Sequence, residues 1–336
     1  MKNFSQPPKS RPAASQLAQD LLSGKKEALA KSITLVESQL NSDKLLSAEL
    51  FAWLEKVDKK PSKRIGITGV PGVGKSSLIE AIGLKLVRQG HKVAVLSIDP
   101  SSSKTKGSLL GDKSRMELLS REKNAFIRPS PTAGFMGGVA RKTKAAISLC
   151  EAAGFDYILV ETVGAGQNEF SVSMMVDLFV LLLLPAGGDE LQGIKRGIME
   201  MADAVLVNKA DGELKTKAEL TLKDYAAAIT LLPVQSHGLP IYKGTVSALT
   251  GTGLDEFVNW LAETSDALWQ SGWIDTHRLQ QNKDWFQEVL KSSIFDAVME
   301  KENNRELFRD TIEKLDHKNM STETAIAYFL TNCKMG

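Results

Sequence analysis

Seven short runs rich in apolar and β-branched residues punctuate the middle of the chain, at residues 64–70, 92–98, 125–128, 157–161, 178–184, 204–207 and 244–247. Amphipathic stretches of helix length separate most of them. Runs that are apolar on both faces suit strands covered by helices on each side, which is the requirement of a parallel sheet. The expected class is therefore α/β, and right-handed crossovers with short loops favour a doubly wound, mainly parallel sheet over a closed barrel. The pattern does not give the strand order. The longest apolar run, residues 178–186, is about half of the ~20 residues that span a bilayer, so no membrane span is expected.

The flanks read differently. Residues 14–60 are rich in Leu, Ala, Glu and Lys at three-to-four spacing, which predicts two or three short helices ended at Pro61. After about Glu263 the strand pattern stops, and Trp269, Trp273, Trp285 and Phe286 lead into Val289, Leu290, Ile294 and Val298 on a helical extension whose apolar faces need a partner. The expected division is an N-terminal helical extension at 1–62, a central domain at 63–262 and a C-terminal helical dimerisation arm at 263–336. With 42 basic and 40 acidic residues the net charge is +2, which provides no footprint for nucleic acid or anionic lipid. Any polyanion must be held by a local site. Cys150 and Cys333 lie far apart and form no CxxC pair, and the four histidines are scattered, so neither a disulfide framework nor a zinc or nickel cluster is indicated. The expected location is the reducing cytoplasm.

The local site is written in Gly69-Val70-Pro71-Gly72-Val73-Gly74-Lys75-Ser76, followed by Ser77, between the first apolar run and a helix. Glycines let successive backbone N–H groups turn inward around phosphates, the helix N-terminus adds positive dipole, Lys75 reaches the outer phosphates, and Ser76 offers a hydroxyl to Mg²⁺. This is the phosphate loop of a P-loop NTPase. Downstream, Asn208-Lys209-Ala210-Asp211 follows another strand, where α/β sheets carry their ligand loops. The Asp211 carboxylate suits the N1–H and 2-amino group of guanine, Asn208 suits the N7/O6 edge, and Lys209 can lie along the base plane. Adenine lacks both donors for Asp211, so the site selects guanine. Ser247-Ala248-Leu249 fits a backbone contact to guanine O6. The expected ligands are GTP and GDP.

Asp99, Asp112 and Glu161 are the candidate carboxylates for nucleotide-linked Mg²⁺, a hard ion that prefers oxygen. Glu161 opens Glu161-Thr-Val-Gly164, where many GTPases carry DxxG, and a Gly164 N–H there can sense a γ-phosphate. The glycine-rich segment 187–197 contains Lys195, a candidate to stabilise phosphate charge or to pair across an interface. Ala165 follows Gly164 directly and Gln167 comes two later, so the water-positioning group is unassigned.

Taken together, GVPGVGKSS, IDPSS with GSLLGDKSRM, VETVGAGQNE, GGDELQGIKRG and NKAD resemble the G-protein family associated with methylmalonyl-CoA mutase, whose members have also been described as lysine/arginine/ornithine transport ATPases or kinases. The resemblance runs from about Leu17 to the C-terminal helices. It implies a homodimeric GTPase that chaperones a B12-dependent acyl-CoA mutase, methylmalonyl-CoA mutase first among them, gating cobalamin loading and protecting or reactivating the enzyme. It further implies that Lys75, Glu161 and Lys195 serve catalysis, that Ser76, Asp99, Asp112 and Glu161 serve the metal site, and that Gly164, Gln167 and Lys195 belong to switches. Ser77, Lys106 and Ser114 depart from the residues usual in that family. The competing reading is a kinase or ATPase acting on an amino-acid transport protein.

Overall fold

The computed structural model describes residues 13–58, 60–99, 116–131, 136–162, 169–185, 196–317 and 319–334. Seven strands form one all-parallel sheet: β1 (Lys63–Gly69), β2 (Val93–Asp99), β3 (Ala125–Pro131), β4 (Tyr157–Glu161), β5 (Leu178–Leu183), β6 (Ala204–Val207) and β7 (Tyr242–Thr245). Their order is β3-β2-β4-β1-β5-β6-β7. Ile65 of β1 sits beside Leu159 of β4 on one side and Leu178 of β5 on the other. The chain thus works outward from β1 in one direction, with β4 inserted between β1 and β2, and then crosses to build the other half through β5, β6 and β7. That reversal places a crevice at the carboxyl ends of the central strands, where doubly wound sheets hold ligands.

The strands match the expected runs closely, and β4, β5 and β6 are buried along their whole length, as sheet strands covered on both faces must be. β3 runs on three residues past its expected end, to Pro131, and β7 is shifted two residues earlier, ending at Thr245 rather than 247. Its ladder with β6 closes at Val207 and Thr245, and Ser247 instead enters a tight loop, accepting from Gly251 N and donating to Thr252 O, each at 2.9 Å.

The helices are α1 (Ala14–Leu22), α2 (Lys26–Glu37), α3 (Asn41–Leu54), α4 (Lys75–Arg88), α5 (Glu117–Ser120), α6 (Met136–Ala152), α7 (Glu169–Ser173), α8 (Arg196–Glu200), α9 (Lys215–Ile229), α10 (Leu254–Gln270), α11 (Trp273–Met299), α12 (Glu302–Asp316) and α13 (Thr322–Asn332). The first three bury Leu17, Leu21, Leu29, Ile33, Leu50 and Leu54, and α2 packs on α6, so they form a layer on one side of the sheet. Arg128 of β3 pins this layer by an ion pair to Glu37 at 2.5 Å. On the other side Leu78, Ile79, Ile82 and Leu86 of α4 join Phe257, Val258 and Leu261 of α10 in the main core with β1, β4 and β5.

Contacts divide the chain into two compact units, residues 1–278 and 279–336. Within the second, Phe308 of α12 makes edge contacts with Phe295 of α11 and Phe329 of α13. Asn304 donates to Val298 O at 2.7 Å and to Lys334 O at 3.1 Å, closing the segment on itself. Among the described residues no helix is long and apolar enough to cross a membrane.

Candidate functional site

β1 ends at Gly69 and the chain turns through residues 70–74 into α4, whose first residue is Lys75. Gly74 caps that helix at φ 95°, in the left-handed region where a side chain is disfavoured. Space excludes one as well, because a Cβ on Gly74 would lie 2.6 Å from Asn208 Nδ2. We expect Gly74→Ala to distort the loop and weaken nucleotide binding about tenfold or more, since left-handed backbone alone costs an L-residue about 1–2 kcal/mol. Equilibrium dialysis with GDP measures this, and undiminished affinity would show the loop to be tolerant.

The Lys75 ammonium donates to Gly69 O at 2.8 Å and to Val70 O at 3.2 Å. Burial pushes its pKa down, and Glu161 and Glu169 pull in the opposite direction. A cation held by carbonyls at the mouth of a helix can exchange those weak partners for phosphate oxygens.

Glu161, at the end of β4, is buried and receives two hydroxyls: Ser76 Oγ at 2.7 Å on Oε1 and Ser97 Oγ at 2.6 Å on Oε2. Ser97 is a functional neighbour that sequence reasoning passed over. Its signal was present, because side chains two apart on a strand share a face, and Ser97 stands two before Asp99. Next in the chain, Thr162 donates to Thr68 at 2.8 Å and ties the end of β4 to β1. The metal candidates Ser76 and Glu161 are therefore brought together. Asp99 closes β2 beside them in the sheet, and its side chain lies outside the described residues, as do Asp112, Gly164, Gln167 and Lys195.

The base motif meets the phosphate loop through Asn208. Its Nδ2 donates to Val73 O at 2.9 Å, and its Oδ1 accepts from Ala248 N at 3.4 Å. Asn208 thus stitches three loops together while itself lining the cleft. Ser247 Oγ donates to Asp211 Oδ2 and accepts from Thr250 N at 3.1 Å, so the Asp211 carboxylate is oriented from behind. Lys209 adopts φ 60°, a rare backbone state for a side-chain-bearing residue and one typical of functional loops. Leu249 stands 87% exposed beside them. Gly74 and Ser77 at one end and Lys209, Asp211 and Ala248 at the other line a single cleft of about 520 Å³. A nucleotide-sized ligand fits that volume.

An all-parallel doubly wound sheet with a glycine-rich strand-to-helix turn at its switch point defines a P-loop NTPase. Residues 29–303 match the model of the family described as methylmalonyl-CoA mutase-associated GTPase MeaB. A putative GTPase of Caulobacter vibrioides is 47% identical over 278 residues, which cover 82% of this chain and 84% of that protein. The mitochondrial methylmalonic aciduria type A homolog of Mus musculus is 45% identical over 285 residues, covering 82% of this chain and 69% of that protein. The crystal structure of a LAO/AO transport system kinase superposes with a TM-score of 0.76 at 31% identity, covering 98% of both chains. The chain belongs to the MeaB family of methylmalonyl-CoA mutase-associated GTPases. It is a GTP hydrolase that binds guanine nucleotides.

Proposed function

We propose that this GTPase is Mg²⁺-dependent and serves as the chaperone of a B12-dependent acyl-CoA mutase, with methylmalonyl-CoA mutase as partner, gating cobalamin loading and protecting or reactivating the enzyme. The observation that carries the nucleotide part is the single cleft with the Lys75 loop at one end and Asp211 at the other. Residues 69–77 hold the phosphates, and Asp211, Lys209 and the 247–249 loop hold the guanine, with Asn208 locking their relative position. Ser76, Asp99 and Glu161 would hold Mg²⁺, with Asp112 on the neighbouring loop. Hydroxyl and carboxylate oxygens are the donors this ion prefers, and the Ser76–Glu161 hydrogen bond already gathers two of them. When bound, the ion neutralises charge on the phosphate oxygens. Lys75 supplies the fixed positive charge, and its partial desolvation strengthens that field.

Gly164, Gln167 and Lys195 are assigned to switch segments that change with the γ-phosphate. The exposed stripe of Phe286, Leu290 and Ile294 at helical spacing on α11 suits the homodimer contact. The mutase link rests on the family. A nucleotide state that biases a partner must itself be biased by that partner.

We therefore expect slow GTP hydrolysis by the chain alone and an acceleration of about tenfold or more when the mutase is added, since a partner can complete the groups that position water and stabilise phosphate charge. Phosphate release with and without purified mutases, and co-elution in GDP and in a non-hydrolysable GTP analogue, measure it. Equal rates and no complex with any B12-dependent mutase would remove the partner. Label recovered on an amino-acid transport protein instead of in free phosphate would favour the kinase reading.

A further inference from the structure

Between its two ends the nucleotide cleft is walled by α4 and α5. Ser77, Glu80 and Ala81 of α4 and Leu118 of α5 line it there. Ser77 and Glu80 are three apart on a helix and so lie on one face, with Glu80 one turn further from the phosphate loop. In a bound nucleotide the sugar is what lies between phosphates and base. The carboxylates lining this cleft, among the described residues, are Asp211 at the base end and Glu80 at the sugar position.

Glu80 is held in place from behind. Its Oε1 accepts from Leu118 N at 2.8 Å and from Leu119 N at 3.2 Å. Leu119 is fully buried and packs so closely on Gly83 of α4 that a Cβ there would come within 2.6 Å of Leu119 Cδ2. Leu119 thus seats α5 closely on α4 beside the carboxylate that caps it. Among the described residues all the hydrogen bonds of Glu80 are made by Oε1. A carboxylate locked by two backbone donors, with its second oxygen engaged by none of the described residues, is a preorganised acceptor for a hydroxyl.

Resting on the reading that guanosine nucleotides occupy this cleft, we propose that Glu80 accepts a ribose hydroxyl and makes the GTPase selective for ribonucleotides over 2′,3′-dideoxynucleotides. The proposal assigns no proton transfer and no step in hydrolysis. It makes Glu80 a specificity residue, separate from the guanine contacts of Asp211. It also means that nucleotide probes labelled on the ribose hydroxyls bind more weakly than their parents.

The test is a comparison of GDP with 2′,3′-dideoxy-GDP by titration calorimetry on the wild-type chain, Glu80→Ala and Glu80→Gln. A hydrogen bond to a charged group predicts about tenfold weaker binding of the dideoxy nucleotide to wild type. The same ratio should fall to near one in Glu80→Ala and to an intermediate value in Glu80→Gln, whose side-chain carbonyl can still accept from Leu118 and Leu119. If Glu80 served only to cap α5, its removal would weaken both nucleotides alike and leave the ratio at about ten. A ratio near one in wild type, or an unchanged ratio in both variants, overturns the assignment while leaving the cleft a GDP site. Failure of wild type to bind GDP at all overturns the nucleotide reading, and this inference with it.

Discussion

Asp211→Asn should exchange guanine for xanthine specificity. On the proposed reading, the carboxylate accepts from guanine N1–H and the 2-amino group. An amide in its place offers one acceptor and one donor, and that donor faces the 2-amino group of guanine. Losing two charge-assisted hydrogen bonds at about 1.5–3 kcal/mol each predicts roughly a thousandfold loss of GTP affinity. Xanthine has a carbonyl where guanine has the amino group, so the amide matches it. The surroundings favour survival of the rotamer: the Ser247 hydroxyl, which donates to Asp211 Oδ2, can equally accept from an amide N–H. The Lys75 loop is untouched, so hydrolysis of xanthosine triphosphate by the variant should approach that of GTP by wild type. Competition binding and phosphate release with the two nucleotides decide the matter. Retained GTP affinity, or loss of both nucleotides in a folded variant, would count against Asp211 as the base reader.

The parts of this site that could be read from the chain are contiguous. Residues 69–76 form a strand, a turn and a helix start within eight positions, and periodicity alone exposed all seven strands. What sequence does not encode locally is which distant groups meet. β4 inserts between β1 and β2, and this brings Glu161 against Ser76 and Ser97, which lie 85 and 64 residues from it along the chain. Asn208 read as a base contact because NKAD is short and self-contained. Its bond to Val73 spans 135 residues and depends on β5 separating β1 from β6. Glu80 read as one polar residue on an amphipathic helix, since nothing near it announces that the backbone of residues 118 and 119 returns to its carboxylate. Asp112 and the switch candidates Gly164, Gln167 and Lys195 were legible as motifs, but they lie outside the described residues, and they stand as proposals.

Arg278→Ala should cost about 3–5 kcal/mol of stability, the scale for breaking a buried ion pair by removing one partner. Arg278 sits in the first part of α11, at the end of the sheet opposite the nucleotide. Its side chain is 14% exposed, and the guanidinium grips Asp177 with Nε at 2.7 Å and Nη2 at 2.6 Å. Nη2 also reaches Ser62 O at 2.8 Å, Nη1 reaches Glu151 at 3.2 Å, and the group lies 5.0 Å from the ring centre of Trp269. Arg64 completes the cluster with two bonds to Glu151, at 2.7 and 2.9 Å, and its backbone N–H donates to Asp177 at 2.8 Å. Removing Arg278 leaves Asp177 buried without its guanidinium and Glu151 with one fewer. Burial pushes Glu151 up, but Arg64, Arg278 and Ser62 outweigh it and hold the carboxyl below its ordinary value. A depressed carboxyl contributes stability above its unfolded pKa and loses it as pH falls through the folded one. Wild type should therefore lose this contribution below the ordinary carboxylate range, and the gap between wild type and variant should narrow there. Urea midpoints at neutral pH and in acid measure both effects. Arg278→Lys should recover only part of the loss, because an ammonium cannot grip both Asp177 oxygens in a planar fork. A variant within about 1 kcal/mol of wild type, in the range of exposed pairs, would show that the cluster is no more than a surface ion pair.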